Sequence, residues 1–293
     1  RRPTPRTSSA TARTASHILT LTLTLTLTLS NPDPDPNPNP NPNPSFNPSP
    51  NQDRVAYTYE LAARGAHLTL AARRLERLHE LSGELQAAHG VEVNVVQADL
   101  AQPDGPRRLI ASCGDAATID VLVNNAGVGM HGDGVGHAWD RERDMIQLNV
   151  VAVAELTKHF VGRMRERGSG RVLQVASTAS FLPCPGYAAY GATKAFVLHH
   201  AEALDEELRA CDVRVLALCP GSTNTDFFEI SGNVRGRAQV ATSLDPVKVA
   251  RAGVDAIQRG RRVTVPGLAN KFTTAGLRLI PRRLQATLAR IVL

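Results

Sequence analysis

Between residues 53 and 265, short apolar runs alternate with longer stretches of helical periodicity. The runs are HLTLA (67–71), VEVNVVQ (91–97), IDVLVNN (119–125), RVLQVAS (171–177), VRVLALC (213–219) and RVTV (262–265). Each is rich in Val or Leu and short enough to be a strand. Near-continuous apolar runs are what strands buried on both faces of a parallel sheet look like. The intervening pattern predicts a helix ending at Gly65, then helices over 73–89, 103–113, 138–167, 186–210 and 245–259. Such alternation predicts an α/β domain built on a doubly wound parallel sheet, with helices on both sides.

The first fifty residues break this pattern. A strict Leu-Thr repeat over 19–29 is followed by an Asn-Pro and Asp-Pro repeat over 31–44. The Leu-Thr alternation has the two-residue period of a strand and is also an aggregation-prone edge unless covered. The Asn-Pro tract cannot be a central strand, because alternate prolines remove the amides facing one neighbour. It is expected to be extended, polyproline-like and poorly ordered. Both dipeptides are readings of the hexamer CCCTAA in two frames. The head, 1–52, is therefore expected to be a translated simple repeat joined to a truncated gene, with the domain starting near residue 53. The missing initiator Met fits that expectation, and codons departing from the hexamer would refute it. An acid-free composition over 1–32 also suits an organelle transit peptide.

Charge sharpens the outline. The net charge of +6 is made of +2 in residues 1–50 and +7 in residues 261–293, leaving the body at −3. The body therefore offers no basic face for nucleic acid. Cys113, Cys184, Cys211 and Cys219 have neither C-x-x-C nor metal-ligand spacing, which predicts reduced thiols, a cytoplasmic protein and no metal. No apolar run approaches the ~18 residues of a membrane span.

Candidate chemistry sits at the ends of the predicted strands. Tyr190 and Lys194 lie four apart on one helix and share a face. An ammonium near a phenol favours the phenolate, so the pair can act as a general acid/base. By itself Y-x-x-x-K is most often a solvated helix face. The setting adds weight, because Ser177 closes the strand RVLQVAS, N-N-A-G (124–127) closes another, and C-P-G (219–221) closes a third. Open α/β sheets bind ligands at those carboxyl ends.

These elements, D-L (99–100), N-N-A-G, Asn149, Ser177, Y-G-A-T-K (190–194) and P-G-S-T-N-T (220–225), stand in order over residues 53–267. In that order and spacing the region resembles the short-chain dehydrogenase/reductase family. The resemblance implies a Rossmann-like fold and hydride transfer between a carbonyl or secondary alcohol and a nicotinamide cofactor. Tyr190 would then pass the proton, Ser177 orient the substrate oxygen, and Lys194 lower the Tyr190 pKa and hold the nicotinamide ribose. Asn149 would kink its helix and support a proton-relay water. Asp99 would contact the adenine, Asn125, Ala126 and Gly127 line the cofactor, and Pro220, Gly221, Thr223 and Thr225 flank the nicotinamide. A small-molecule partner and a homo-oligomer are implied as well. At the end of the second predicted strand, Arg73 stands where an acid would select NAD, which points to NADP(H). The plainer reading of Arg73 is a surface residue opening a helix.

The resemblance also exposes a gap. The family's first strand and T-G-x-x-x-G-x-G loop belong just before the helix at Val55, and the loop would fall on residues 47–54. No glycine occurs between residues 1 and 64. The first strand and the glycine-rich loop are thus expected to be missing or replaced, leaving the strands at 67–71 and 119–125 with unpaired edges. The Leu-Thr repeat could fill the strand but not the loop, through an unusually long connection of about 24 residues. On this view the alternative to an active enzyme is a truncated, incompetent chain or a non-catalytic scaffold.

Elsewhere, GVGMHG (127–132) fits G-x-G-x-x-G but opens no helix, and is expected to be a flexible loop with His131 and His137 exposed. Residues 226–244 occupy the place of a substrate lid. The basic segment 268–293 has an amphipathic helical pattern broken at Pro281, expected to cover the substrate pocket or a subunit contact in preference to a membrane surface.

Overall fold

The computed structural model describes residues 21–25, 52–114, 118–225, 227–232 and 243–292. Among them, seven strands form one parallel sheet: β1 (Leu21–Leu25), β2 (His67–Ala72), β3 (Val93–Gln97), β4 (Ile119–Asn124), β5 (Gly170–Val175), β6 (Val213–Leu218) and β7 (Val263–Thr264). The order is β3-β2-β1-β4-β5-β6-β7, the doubly wound arrangement expected from the alternation. Its crossovers are α1 (Gln52–Ala62), α2 (Leu75–His89), α3 (Gly105–Cys113), α4 (Trp139–Ile146), α5 (Val153–Arg167), α6 (Ala188–Leu208) and α8 (Pro246–Gln258). A short α7 (Phe227–Ser231) follows β6, and α9 (Leu268–Leu277) and α10 (Arg282–Val292) end the chain.

The centre of the sheet is occupied by the head of the chain. The edges of β2 and β4 are not left open: Leu21–Leu25 pairs in parallel with both, Leu23 opposite Thr69 on one side and Leu122 on the other. Part of the Leu-Thr repeat thus takes the central position. The physical reason is that a row of buried amides and carbonyls on two facing edges needs partners, and an alternating segment with free amides supplies them. The expected site of the glycine-rich loop, 47–54, lies outside the described residues up to Asn51, as does most of the proline-rich tract.

The strands are sandwiched as their apolar character requires. One core, on the side of α3, α5 and α6, includes Leu109, Leu156, Met164, Val172 and Val215, all fully enclosed. The other, on the side of α1, α2 and α8, includes Leu68, Leu85, Leu173, Leu216 and Ala250. Close packing dictates two glycines. A Cβ on Gly170 would lie 2.4 Å from the Met164 side chain, and one on Gly253 would lie 2.8 Å from Leu218, so α8 sits almost directly on the sheet.

The helix predicted over 138–167 is continuous but not uniform. Residues Gln147–Ala152 form a π turn between α4 and α5. A π turn shifts the hydrogen-bond ladder by one residue, and such turns are common at functional positions. The turn contains Asn149.

Opposite the β6 end of the sheet, Asp205 on α6 is fully buried. Its carboxylate accepts from Arg214 Nε at 2.8 Å and Nη2 at 3.0 Å, from Arg262 Nε at 3.1 Å and from the Val215 amide at 3.1 Å. Burial alone would raise its pKa, but these donors outweigh it and hold the carboxyl below the usual range.

Candidate active site

Five strand ends deliver the predicted residues to one edge of the sheet. Arg73 follows β2, Asp99 follows β3, Asn125–Gly127 follow β4, Ser177 follows β5, and Pro220–Thr225 follow β6. Lys194 and Tyr190 come from the first turns of α6, with the π turn alongside.

Ser177 is held by a capping box. It opens the short 3-10 helix Thr178–Phe181, its Oγ accepts from the Ala179 amide at 3.1 Å, and its own amide is bonded to Ser180 Oγ. Ser180 in turn donates to the Lys194 carbonyl at 2.8 Å, so the β5 end and α6 are fastened together. The Ser177 hydroxyl is also hydrogen-bonded to the Tyr190 phenol.

Tyr190 stands in an aromatic wall. Its ring centroid is 5.8 Å from Tyr187 and 5.1 Å from Phe227. Burial pushes its phenol pKa up, and the Ser177 hydrogen bond only partly offsets this. The Lys194 ammonium is 6.0 Å from the Tyr190 ring centroid and donates to the Val175 carbonyl at 2.7 Å. Lys194 is itself 5 % exposed, and loss of solvation lowers its pKa to about 8.

Asn149 is completely enclosed and uses its whole amide. Oδ1 accepts from the Val128 amide at 3.0 Å, while Nδ2 donates to the Val128 carbonyl at 2.8 Å and to Thr193 Oγ1 at 3.0 Å. It thereby ties the loop after β4 to α6. The glycine-rich loop expected to be flexible is fastened at Val128, and Val128, Gly129 and Met130 are buried. A Cβ on Gly127 would lie 3.1 Å from Lys194 Nζ and 3.2 Å from Asn149 Oδ1. A side chain here would crowd the ammonium.

The remaining predicted residues surround this centre. Asn125 is half-buried and Ala126 buried at the mouth of β4. The Pro220 carbonyl accepts from the Thr178 amide at 2.8 Å, which aligns the β6 loop with Ser177. Thr223 Oγ1 donates to the Gly221 carbonyl at 3.1 Å, and Thr225 Oγ1 accepts from the Phe227 amide, starting α7. His131 is not the exposed residue expected: it is half-buried, with its ring 4.8 Å from Tyr187. His137 too is half-buried. Of the lid segment, Asp226 and 233–242 lie outside the described residues.

Sequence reading missed three contributors. Thr193, inside Y-G-A-T-K, anchors Asn149, and its place in that motif was a usable signal. Phe227 fills the space that a side chain on Gly129 would take, at 2.3 Å from the position of its Cβ. Asn270 on α9 lies 2.6 Å from where a Gly221 Cβ would stand and donates to the Pro266 carbonyl. Nothing local in the sequence marks Asn270, because its role depends on how α9 folds back.

Arg73 has a buried Nη2 with no hydrogen-bond partner among the described residues. Burial lowers its pKa and the nearby Asp99 carboxylate raises it. A stranded guanidinium nitrogen at a strand end is what a phosphate oxygen would satisfy. Lys194 Nζ spends one donor on the Val175 carbonyl and has others beyond it beside the bare Gly127. The residues present fit the nicotinamide and adenosine ends of a dinucleotide; the stretch for its pyrophosphate is not among the described residues.

A model of the family described as short chain dehydrogenase matches residues 55–234, more than half of the chain. The chain belongs to that family. An uncharacterized oxidoreductase of Myxococcus xanthus is 37 % identical over 168 residues, covering 57 % of this chain and 66 % of its own. Human 17-beta-hydroxysteroid dehydrogenase type 3 is 31 % identical over 172 residues, 58 % of this chain and 55 % of its own. The chain thus spans less than two thirds of the length of these curated family members. A solved short-chain dehydrogenase from Sphingobium yanoikuyae, in complex with NADPH, superposes with a TM-score of 0.72 at 26 % identity, covering 92 % of this chain and 98 % of that one. Among the described residues no helix is long and apolar enough to cross a membrane, and no group of side chains could hold a metal.

Proposed function

We propose that this family member is an NADP(H)-dependent oxidoreductase that interconverts a bulky apolar ketone and its secondary alcohol. The observation that carries the proposal is the convergence of Ser177, Tyr190 and Lys194 beside Gly127, with the unpartnered Arg73 nitrogen at the far end of the same sheet edge. In this reading the nicotinamide cofactor supplies or accepts the hydride. Lys194 holds the nicotinamide ribose and Arg73 the 2′-phosphate. Ser177 donates to the substrate oxygen and fixes its position. Tyr190, kept protonated by burial, gives its proton to that oxygen during reduction and takes it back during oxidation. Asn149 positions Lys194 indirectly, by clamping the β4 loop to α6. Tyr187, Tyr190 and Phe227 form an aromatic wall suited to a large apolar substrate, and His131 supplies a polar edge to it. The steroid-directed name of the human relative agrees with such a substrate. A homo-oligomer is proposed on family grounds alone.

The test is to titrate NADPH and NADH into the full chain by fluorescence and then follow NADPH consumption with a steroid ketone and a long-chain 3-oxoacyl thioester. Binding of NADPH in preference to NADH, with turnover lost in Tyr190→Phe, is expected. A folded chain that binds neither nucleotide would refute the proposal and leave the scaffold reading.

A further inference from the structure

Helices α9 and α10 carry apolar side chains that the fold does not use. Leu268 is 71 % exposed, Phe272 76 % and Leu279, in the linker after α9, 87 %. Leu268 and Phe272 are four apart and share one strip of α9, while Leu277 and Thr274 on the opposite side are buried. On α10, Leu284 and Leu288 repeat the four-residue spacing and are exposed too. Scattered exposed leucines need no explanation, but an exposed strip of four-residue spacing on each of two consecutive helices does.

The charge beside these strips has one sign. Lys271 and Arg278, seven apart on and just beyond α9, flank the Leu268–Phe272 strip. They also line a groove of about 640 Å³ between α8, β7 and α9, together with Arg259, Arg261, Phe181 and Asp255. Asp255, the carboxylate in that groove, is already engaged by Arg64 at 2.6 Å. Arg261, Lys271 and Arg278 have no carboxylate within ion-pair distance among the described residues. The last 33 residues contain seven basic side chains and no acid.

We infer that α9, α10 and the groove beside them form a docking surface for an anionic lipid bilayer. The apolar strips enter the interface between headgroups and acyl chains, and Lys271, Arg278, Arg261 and Arg259 receive lipid phosphates. A basic amphipathic helix with Leu and Phe on its apolar side has the composition such binding requires. A bilayer also fits better than an acidic protein, because the exposed apolar strips run over two successive helices with basic side chains beside them. The chain rests on the surface and does not span it. An apolar ketone dissolved in the membrane would then be close to the site, since α9 touches the β6 loop through Asn270.

Co-sedimentation of the full chain with phosphatidylcholine vesicles, with and without roughly a quarter phosphatidylserine, tests this. Binding to the anionic vesicles alone is expected, weakening as salt is raised from about 0.1 to about 0.5 M. Lys271→Glu with Arg278→Glu is expected to reduce binding roughly tenfold or more. Phe272→Ser with Leu268→Ser should reduce it similarly at an unchanged melting temperature, and if either double variant melts early the other carries the reading. Three outcomes would overturn the inference: no preference for anionic vesicles, full competition by inorganic phosphate, or conversion of a stable dimer to monomer by Phe272→Ser. The second would mark a small-anion site, the third a contact between copies.

Discussion

Gly127 lies where three constraints meet: the Lys194 ammonium, the Asn149 amide and the end of β4. Gly127→Ala would place a methyl group 3.1 Å from Nζ, so the ammonium must shift by a few tenths of an ångström. The expected outcome is a turnover loss of roughly tenfold to a hundredfold with the melting temperature nearly kept, read by steady-state kinetics and calorimetry. Tyr190→Phe should cost about a hundredfold to ten-thousandfold in kcat, since it removes the proton donor and leaves its shape. Burial raises the Tyr190 pKa, so the group stays protonated through neutral pH. Ketone reduction is therefore expected to hold its rate across neutrality, while alcohol oxidation, which needs the phenolate, climbs into the alkaline range. Lys194 gives a stability signature of the opposite kind. Its folded pKa of about 8 lies below the ordinary 10.5 of an unfolded lysine. Below the lower value both states are protonated and the full burial penalty applies; between the two the unfolded chain binds more protons, and stability rises with pH. Wild-type stability relative to Lys194→Met should rise by up to about 3 kcal/mol over that window, measured by denaturant melts at several pH values.

At the scale of elements, what the sequence pattern shows and what it hides can be separated by cause. β2 to β6 and the helices between them were legible because their apolar runs are local and are sandwiched as their composition demands. Ser177, Tyr190 and Lys194 were legible through spacing, since strand ends and helix turns fix where such residues arrive. The π turn was not, because an extra residue in a helix leaves no mark on apolar periodicity; it shows only through the partners of Asn149. The aromatic wall around Tyr190 was only half legible: Tyr187 is local to it, but Phe227 arrives from beyond β6. The π turn has a consequence that can be measured. Asn149→Ala removes two bonds to Val128 and one to Thr193, freeing the β4 loop. Amide exchange at Val128 is expected to quicken by at least tenfold, with turnover falling alongside.

At the scale of the whole molecule, Asp205 links α6, β6 and the turn before β7. Because the Asp205 carboxylate is buried and holds Arg214 and Arg262, Asp205→Ala leaves Arg214 without its partner and Arg262 with Glu206 alone. A loss of about 3–5 kcal/mol is expected in urea melts. Since the folded pKa of Asp205 is depressed, its contribution is present above the ordinary carboxylate pKa and is lost as pH falls through the folded value, so the wild-type protein should lose stability on acidification in a way that Asp205→Asn does not. The basic C-terminal helices were visible as a charge asymmetry, but whether they cover a pocket or face outward depended on exposure, which composition does not contain.

The strand at the centre of the sheet has one more property. Leu21–Leu25 comes from a repeat of identical dipeptides, so sliding it by two residues presents the same sequence to β2 and β4. Register in other strands is specified by unique side chains; here it is degenerate. A few equivalent alignments would contribute mixing entropy of about RT ln 3, or ~0.6 kcal/mol, to a sheet that behaves as a zipper with interchangeable teeth. Amide exchange along the repeat should then show protection shared over more residues than one strand can hold, rather than a sharp block of five.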